Sequence, residues 1–450
     1  MRVVVVGGGF AGLAAAIALQ ERRHQVTLLE RRGILGGRAT SFPDAVTGED
    51  VDNGTHLMIG AYSATLDLVR RAGAEDLLAP QDNLRLEWID DRGVTALDCP
   101  PLAAPLHLFA GLLGLRVPWS VKLQALRLGL AVRFGRPPVG LTLAEYFRRT
   151  GQGKAARRLL WDPLALAALN ETPERAAAVL FHRLYREAFL RDHRASRLVS
   201  LRRGWGALHE RLARYLEGRG GVVRRRALAQ AIAVEEGRVS AVRYAQRPES
   251  REAIAAGQEG ESATLAADGV VAAVPWHALP ALVPEPWRSE LPFAGLDSLG
   301  RSPIVSVEMW LDRVVVDRPM LGLRESEVEW VFDKGRLYGR SGSPQHLAFI
   351  VSAAWRLAPK TNAELVAAAE GALRRYFPAM KEAQVERTLV LRESEATFAS
   401  TPENEALRPG PTTPIGGLFL AGDWTDTGLP ATIEGAVRSG LRAAECVEAA

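Results

Sequence analysis

The first thirty residues constrain the chain more than any other stretch. An apolar run, Val3–Val6, leads into Gly7-Gly8-Gly9-Phe10-Ala11-Gly12; an alanine-rich helical pattern, Leu13–Gln20, follows, and a second apolar run, Val26–Leu29, ends at Glu30. Strand, glycine turn, helix and acid-terminated strand in this order predict a dinucleotide-binding βαβ unit. Gly7 permits the tight turn, Gly9 lets the backbone approach a pyrophosphate, and Gly12 lets the helix pack closely on the sheet. The pyrophosphate would sit at the positive helix N-terminus. Glu30 can accept from adenosine ribose hydroxyls and repels a 2′-phosphate, which favours FAD or NAD over NADP.

A chain of 450 residues exceeds one typical core, so two domains or an interleaved pair are expected. The apolar share of 47% and charged share of 24% are those of a globular protein. The net charge of +4 is small, the arginine doublets are scattered, and no aromatic-rich motif accompanies them, so no nucleic-acid partner is expected. Cys99 and Cys446 form no CxxC pair, which argues against a metal site and for a reducing cytoplasm. The first strand begins at Arg2, leaving no room for a signal peptide, and no apolar run reaches the roughly 18–20 residues of a membrane span. The expected location is cytoplasmic, peripheral on the inner membrane face.

Further along, Arg31–Arg38 reads as a glycine-paired loop ending in a cation, and Val51–His56 as a tight polar segment. Pro100–Phe134 is leucine-rich, and helical patterns continue to about Arg194. The α/β pattern then returns: a helix at Leu208–Leu216, a hairpin within Ile232–Tyr244, a loop at Gln246–Ser262, and a buried strand from Gly269 that stops at Pro275. Strands are expected at Val305–Leu311 and Leu347–Ala353, a helix at Ala363–Tyr376, a strand at Gly417–Ala421 and a closing helix at Ile433–Ala444. Residues 1–87, 201–280 and 390–450 are assigned to a discontinuous cofactor domain, and 88–200 with 281–389 to a substrate domain.

The C-terminal run adds Gly422-Asp423 after a strand, then Pro430–Ala436 as a second turn that opens a helix. Asp423 could accept from ribityl hydroxyls, and the helix start at Thr432 offers donors to the edge of an isoalloxazine where negative charge develops on reduction. A nicotinamide enzyme has no need of such a second site, so FAD is the expected cofactor.

The ordered set GGGFAGL, Glu30, LGGRA, DNG, AGDW and GLPATIEGAVRSG resembles the FAD-dependent amine oxidase and carotenoid (phytoene) desaturase superfamily. Val51–Gly54 with His56, Trp161–Asn170 and Ala421–Pro430 resemble its squalene-associated branch, the hydroxysqualene dehydroxylases of hopanoid biosynthesis. The resemblance implies an α/β fold in which a Rossmann-type, GR2-like FAD-binding domain is interleaved with a mixed helical and β-sheet substrate domain. It assigns Gly7, Gly9 and Gly12 to the pyrophosphate, Glu30 to the ribose, and Gly36, Gly37 and Arg38 to the flavin side of the loop, with Phe10 and Ala11 also in the cofactor-binding set. Val223 would meet the adenine through its backbone, Gly422 and Asp423 the ribityl phosphate, and Thr432, Ile433 and Ala436 the flavin ring. Arg31, Gly54 and Thr55 complete the cofactor-binding set.

The activity implied is reductive dehydroxylation of hydroxysqualene to squalene. Carotenoid desaturation or isomerisation, amine oxidation, and flavin binding without turnover are the rivals. Loss of water from an allylic alcohol calls for an acid and a dry tunnel. His56 and Asp426, beside the flavin-loop motifs, are the candidate acids, and Trp161, Tyr185, Trp310 and Trp355 are candidates to steady a cation. No second GxGxxG follows a later strand, so an external donor such as NAD(P)H is expected to reduce the flavin. The stretch 102–134, flanked by Arg116, Lys122, Arg127 and Arg133, either presses transiently into a membrane surface to admit a polyprenoid or packs within the substrate domain.

Overall fold

A computed structural model describes residues 1–248, 260–340 and 342–450. Strand β1 (Arg2–Val6), helix α1 (Phe10–Glu21) and strand β2 (Gln25–Glu30) form the expected unit. Val3–Val6 are buried on both faces, as a central parallel strand requires. β1 pairs in parallel with β2 on one side and with Gly269–Ala272 on the other. Val222–Arg225 lies beyond β2, and Leu418–Leu420 beyond Gly269–Ala272, so the five-stranded sheet gathers segments from the whole chain.

Alanine makes α1 narrow, and its neighbours come close. The C-terminal helix Ile433–Ala449 crosses it so tightly that a Cβ on Gly440 would lie 2.1 Å from the Ala11 carbonyl oxygen. Leu13, Ile17 and Leu19 are at most 1% exposed, each contributing about 1.5–3 kcal/mol of burial.

A second sheet of seven strands runs in the order Val385–Thr397, Ser302–Leu311, Gln345–Val351, Trp330–Asp333, Met320–Leu323, Arg85–Asp90, Gly93–Asp98. Alternation divides its faces. Val305, Val307 and Met309 enter a core with Leu365, Ala369 and Leu373 of the helix Asn362–Tyr376, whose N-terminus is fixed by a Thr361–Glu364 capping box. Ile304 and Ser306, one residue out of phase, point to the opposite face and line a cavity.

Helices Leu106–Gly114, Trp119–Phe134, Asp162–Leu169 and Ala178–Phe189 cover that cavity. Trp119–Phe134 buries Val121, Ala125, Leu128 and Val132 on one stripe and leaves Trp119 67% and Phe134 80% exposed on another. Among the described residues no helix is long and apolar enough to cross a membrane.

All four expected division points fall inside elements, 200/201 within the strand Leu198–Leu201 and 280/281 within the short helical turn Pro280–Leu282. Arg85–Asp90 begins before residue 88, and Val385–Thr397 continues in the seven-stranded sheet past residue 389. Most of the expected loop Gln246–Ser262 lies outside the described residues; Gln246, Glu261 and Ser262 themselves are strand residues, because the hairpin arms are longer than the apolar pattern indicated.

Candidate functional site

One cavity of about 850 Å³ touches both chain termini, the sheet face and the helical cover. Gly9, Phe10 and Ala11 at the start of α1 line it, together with Glu30, Arg31, Gly36, Gly37, Arg38, Gly54, Thr55, His56, Gly422, Asp423, Thr432, Ile433 and Ala436. Gly7 and Gly12 lie behind this wall. A Cβ on Gly12 would sit 1.8 Å from the Gly7 carbonyl oxygen, and Gly7 holds φ +112°, so both serve the turn and its packing. Val223 lies on the outer strand of the parallel sheet, paired with Leu28, away from the cavity-lining set.

The glycine turn is held from behind. Glu30 is 6% exposed; its Oε2 accepts from Gly8 N at 2.8 Å and its Oε1 from Arg32 N at 2.8 Å. Each carboxylate oxygen keeps a lone pair for a further donor. Gly9 caps α1 with no side-chain hydrogen bond, leaving the first-turn amides facing the cavity. A Cβ on Gly37 would meet Gly9 Cα at 3.4 Å, so two glycines face each other across the cleft.

Across the cavity, Arg38 Nη2 donates to Asp423 Oδ1 at 2.5 Å and Nη1 to the Ala396 carbonyl at 2.8 Å, tying the glycine loop to the C-terminal run and the seven-stranded sheet. The C-terminal helix opens with Thr432, whose hydroxyl accepts from Gly435 N. Glu434, 1% exposed, accepts from Ala64 N, Thr65 N and the Thr65 hydroxyl and pairs with Arg438. Burial, with Glu434 nearby, pushes the Tyr62 phenol up, so this cavity-lining hydroxyl stays protonated.

The segment Asp52–His56 rests on a buried ion pair. Asp52 and Lys334 are both 2% exposed and in contact; Ser41 Oγ and Tyr338 Oη also donate to Asp52, at 2.5 and 3.1 Å. Burial alone would raise the Asp52 carboxyl, but the Lys334 ammonium outweighs it and holds it below its ordinary range. His56 Nδ1 lies 2.7 Å from the Gly54 carbonyl, so Nδ1 is assigned the proton. Burial, reinforced by Lys334 and Arg38, lowers its pKa. His56 thus presents a neutral ring whose free nitrogen accepts rather than donates, which argues against the acid role expected for it. Asp426 is exposed, accepts from Gly428 N at 3.1 Å, and does not reach the cavity. That expectation is corrected: the turn which buries Asp423 rotates Asp426 outward.

Of the aromatic candidates, Trp161 and Tyr185 line the cavity. Trp310 is instead stacked on His346 at 4.1 Å further along the same sheet face, outside the lining, and Trp355 lies at the surface under Arg175. Sequence reasoning missed Asn53, Tyr62 and Glu393. Asn53 Nδ2 donates to the Arg38 carbonyl and to Glu393 Oε2, both at 3.2 Å. Glu393 sits at an inward position of the strand Val385–Thr397; the only trace in sequence is a carboxylate two residues from inward-facing Leu391. Another acid, half-buried Glu329, is pushed up to about 7 by desolvation; it accepts from the Ser352 amide and is itself outside the lining. Among the described residues no group of three or more His, Cys, Asp or Glu could hold a metal ion.

The residues present fit an extended flavin dinucleotide. Free first-turn amides, a carboxylate with spare lone pairs, facing glycines that leave the backbone bare, and the buried, unpartnered Thr55 hydroxyl all border one cavity. A Rossmann-type sheet joined through such a cavity to an apolar, sheet-lined chamber defines a flavoprotein oxidoreductase.

The chain belongs to the flavin containing amine oxidoreductase family, matching it over residues 10–448, and its cofactor is FAD. It is 32% identical to the hydroxysqualene dehydroxylase of Rhodopseudomonas palustris, covering 100% of this chain and 98% of that protein. It is 26% identical to the 15-cis-phytoene desaturase of Synechococcus elongatus, over 99% and 96% of the two chains. An oxidoreductase from Methanosarcina mazei shares the fold with a TM-score of 0.75 at 17% identity, over 99% of this chain and 100% of that one.

Proposed function

We propose that the protein reduces an allylic polyprenyl alcohol of the hydroxysqualene type to the hydrocarbon, with water as the other product. The observation that carries this reading is the chamber joined to the cofactor cleft. Beyond the polar cluster at Arg38, Asn53 and Glu393 its lining becomes apolar, through Ile304, Ile350, Trp330, Met320, Leu86 and Leu97, and it reaches Leu106, Phe109, Leu126 and Leu130 of the covering helices. A flexible C30 chain with a single polar group suits that gradient, and the full-length likeness to the R. palustris enzyme supports it.

In this reading the α1 amides hold the pyrophosphate, Glu30 the ribose, Arg38 and Asp423 the ribityl side, and Thr55 and the Thr432–Ala436 helix start the flavin ring. FAD, once reduced by an external donor such as NAD(P)H, supplies the hydride. The protein binds the chain, excludes water, presents the carbon bearing the hydroxyl, and delivers a proton to the departing oxygen. Trp161 and Tyr185 offer their faces to developing positive charge.

The substrate enters from a membrane surface. Leu106, Trp119, Leu123, Leu130 and Phe134 are each more than half exposed around the outer end of the chamber, with Arg116, Lys122, Arg127 and Arg133 interspersed. Apolar residues ringed by cations suit the anionic inner face of a bilayer.

The test is anaerobic: photoreduce the purified protein, add hydroxysqualene in detergent, and follow flavin absorbance with product analysis. Stoichiometric squalene with flavin reoxidation is expected; an unchanged reduced spectrum refutes the reading. The likeness to the phytoene desaturase supports one rival, which predicts instead that oxidised enzyme is bleached by phytoene.

A further inference from the structure

Three carboxylates line the cavity among the described residues: Glu30, Asp423 and Glu393. Two are committed. Glu30 holds the Gly8 and Arg32 amides, and Asp423 is paired with Arg38. Glu393 receives one hydrogen bond among the described residues, from Asn53 Nδ2 to Oε2 at 3.2 Å, and its side chain lines the chamber.

Its position marks a boundary. On the same strand, Ala396 holds Arg38 of the cofactor loop, while Leu391, two residues the other way, begins the apolar floor. Ile304, the residue paired with Glu393 on the next strand, lines that floor too. Arg392, between the two inward residues, is turned to the opposite face, where it bonds the Ala358 and Lys360 carbonyls. The alternation of the strand therefore fixes Glu393 inward. His56 is neutral and Asp426 lies outside, so neither competes for the proton-donor role.

We propose that Glu393 is the catalytic acid that protonates the departing hydroxyl, with Asn53 as the positioning residue that orients it. The proposal rests on the dehydroxylation reading. In the step Glu393 donates its proton to the hydroxyl oxygen, while the hydrocarbon chain filling the chamber keeps bulk water away from the reacting carbon. The C–O bond breaks with its electron pair going to oxygen, and the Glu393 proton completes water. A C–H bond forms with the hydride supplied by the two-electron-reduced flavin. The carboxylate left behind is reprotonated when solvent re-enters.

The experiment uses the holoenzyme with Glu393→Gln and Glu393→Asp, and has two arms. In the first, dodecylamine and dodecanol are titrated against the flavin absorbance band. Wild type binds the ammonium about tenfold or more tighter than the alcohol, as a charge-assisted hydrogen bond requires, and Glu393→Gln loses that preference. In the second, photoreduced enzyme is mixed with hydroxysqualene. Glu393→Gln slows squalene formation by about 10²–10⁴-fold with an unchanged flavin spectrum, and Glu393→Asp recovers part of the rate. Retained amine preference in Glu393→Gln, or wild-type turnover by that variant across the pH range, overturns the proposal alone. Wild-type enzyme that binds the amine through Glu393 but yields no squalene overturns the dehydroxylation reading, and the acid role with it.

Discussion

Breaking the Asp52–Lys334 pair is the most revealing perturbation of the scaffold. Both groups are 2% exposed, so removing one strands the other without water. Stranding a buried charge costs about 3–5 kcal/mol, and we expect Asp52→Asn and Lys334→Met each to fall in that range. Replacing both removes the charges together; what remains is the loss of the Ser41 and Tyr338 hydrogen bonds to Asp52, at about 1 kcal/mol each, so Asp52→Leu/Lys334→Met should cost about 2 kcal/mol. With an unfolding entropy of about 2.1 cal/mol/K per residue over 450 residues, 1 kcal/mol corresponds to roughly 1 °C in Tm. Thermal unfolding of the holoenzyme should therefore show drops of about 3–5 °C for the single variants and about 2 °C for the double. The pair also has a pH dependence. Because the folded Asp52 carboxyl titrates below its unfolded value, its stabilisation is complete above the ordinary carboxylate range and is lost as pH falls through the folded value. Lys334→Met should flatten that acid limb. A double variant as unstable as the sum of the singles would refute the reasoning.

Other parts of the structure give further expectations. Glu30→Ala frees the Gly8 and Arg32 amides and should release FAD on gel filtration; full retention would count against the ribose site. Gly440→Ala, which drives a Cβ to 2.1 Å from Ala11 O, should cost about 1–3 kcal/mol in thermal unfolding, whereas Gly371→Ala, in open space inside the helix Asn362–Tyr376, should gain about 0.5–1 kcal/mol. Burial alone would lower the His346 pKa, yet bonds to fully buried Glu308 and to Glu49 raise it, so its contribution is complete below the ordinary value of about 6.5 and is lost as pH rises through the folded value. Unfolding midpoints should fall over that interval in wild type and less in His346→Gln. Trp119→Ser/Phe134→Ser should weaken sedimentation with anionic vesicles severalfold without loss of FAD, and unchanged sedimentation would remove the membrane role from this face.

What the sequence determined by itself was local. A strand, a glycine turn and a helix close within thirty residues, so the spacing from Val3 to Glu30 carries the unit directly, and apolar periodicity carries the helices and the buried strands. The Asp52-Asn53-Gly54 motif was visible as a motif, but its purpose was not, since Lys334 lies 282 positions away from Asp52 and Glu393 340 positions from Asn53. Pattern alone equally gave no means of choosing among Trp161, Tyr185, Trp310 and Trp355, or of turning Asp423 inward and Asp426 outward, because those orientations depend on which strand lies next to which. Sheet pairing and strand alternation decided them. They brought both ends of the chain to one cavity, aimed Glu393 into it, and turned the leucine-rich helices partly outward, because a side chain's surroundings are set by the elements packed against it rather than by its neighbours in sequence.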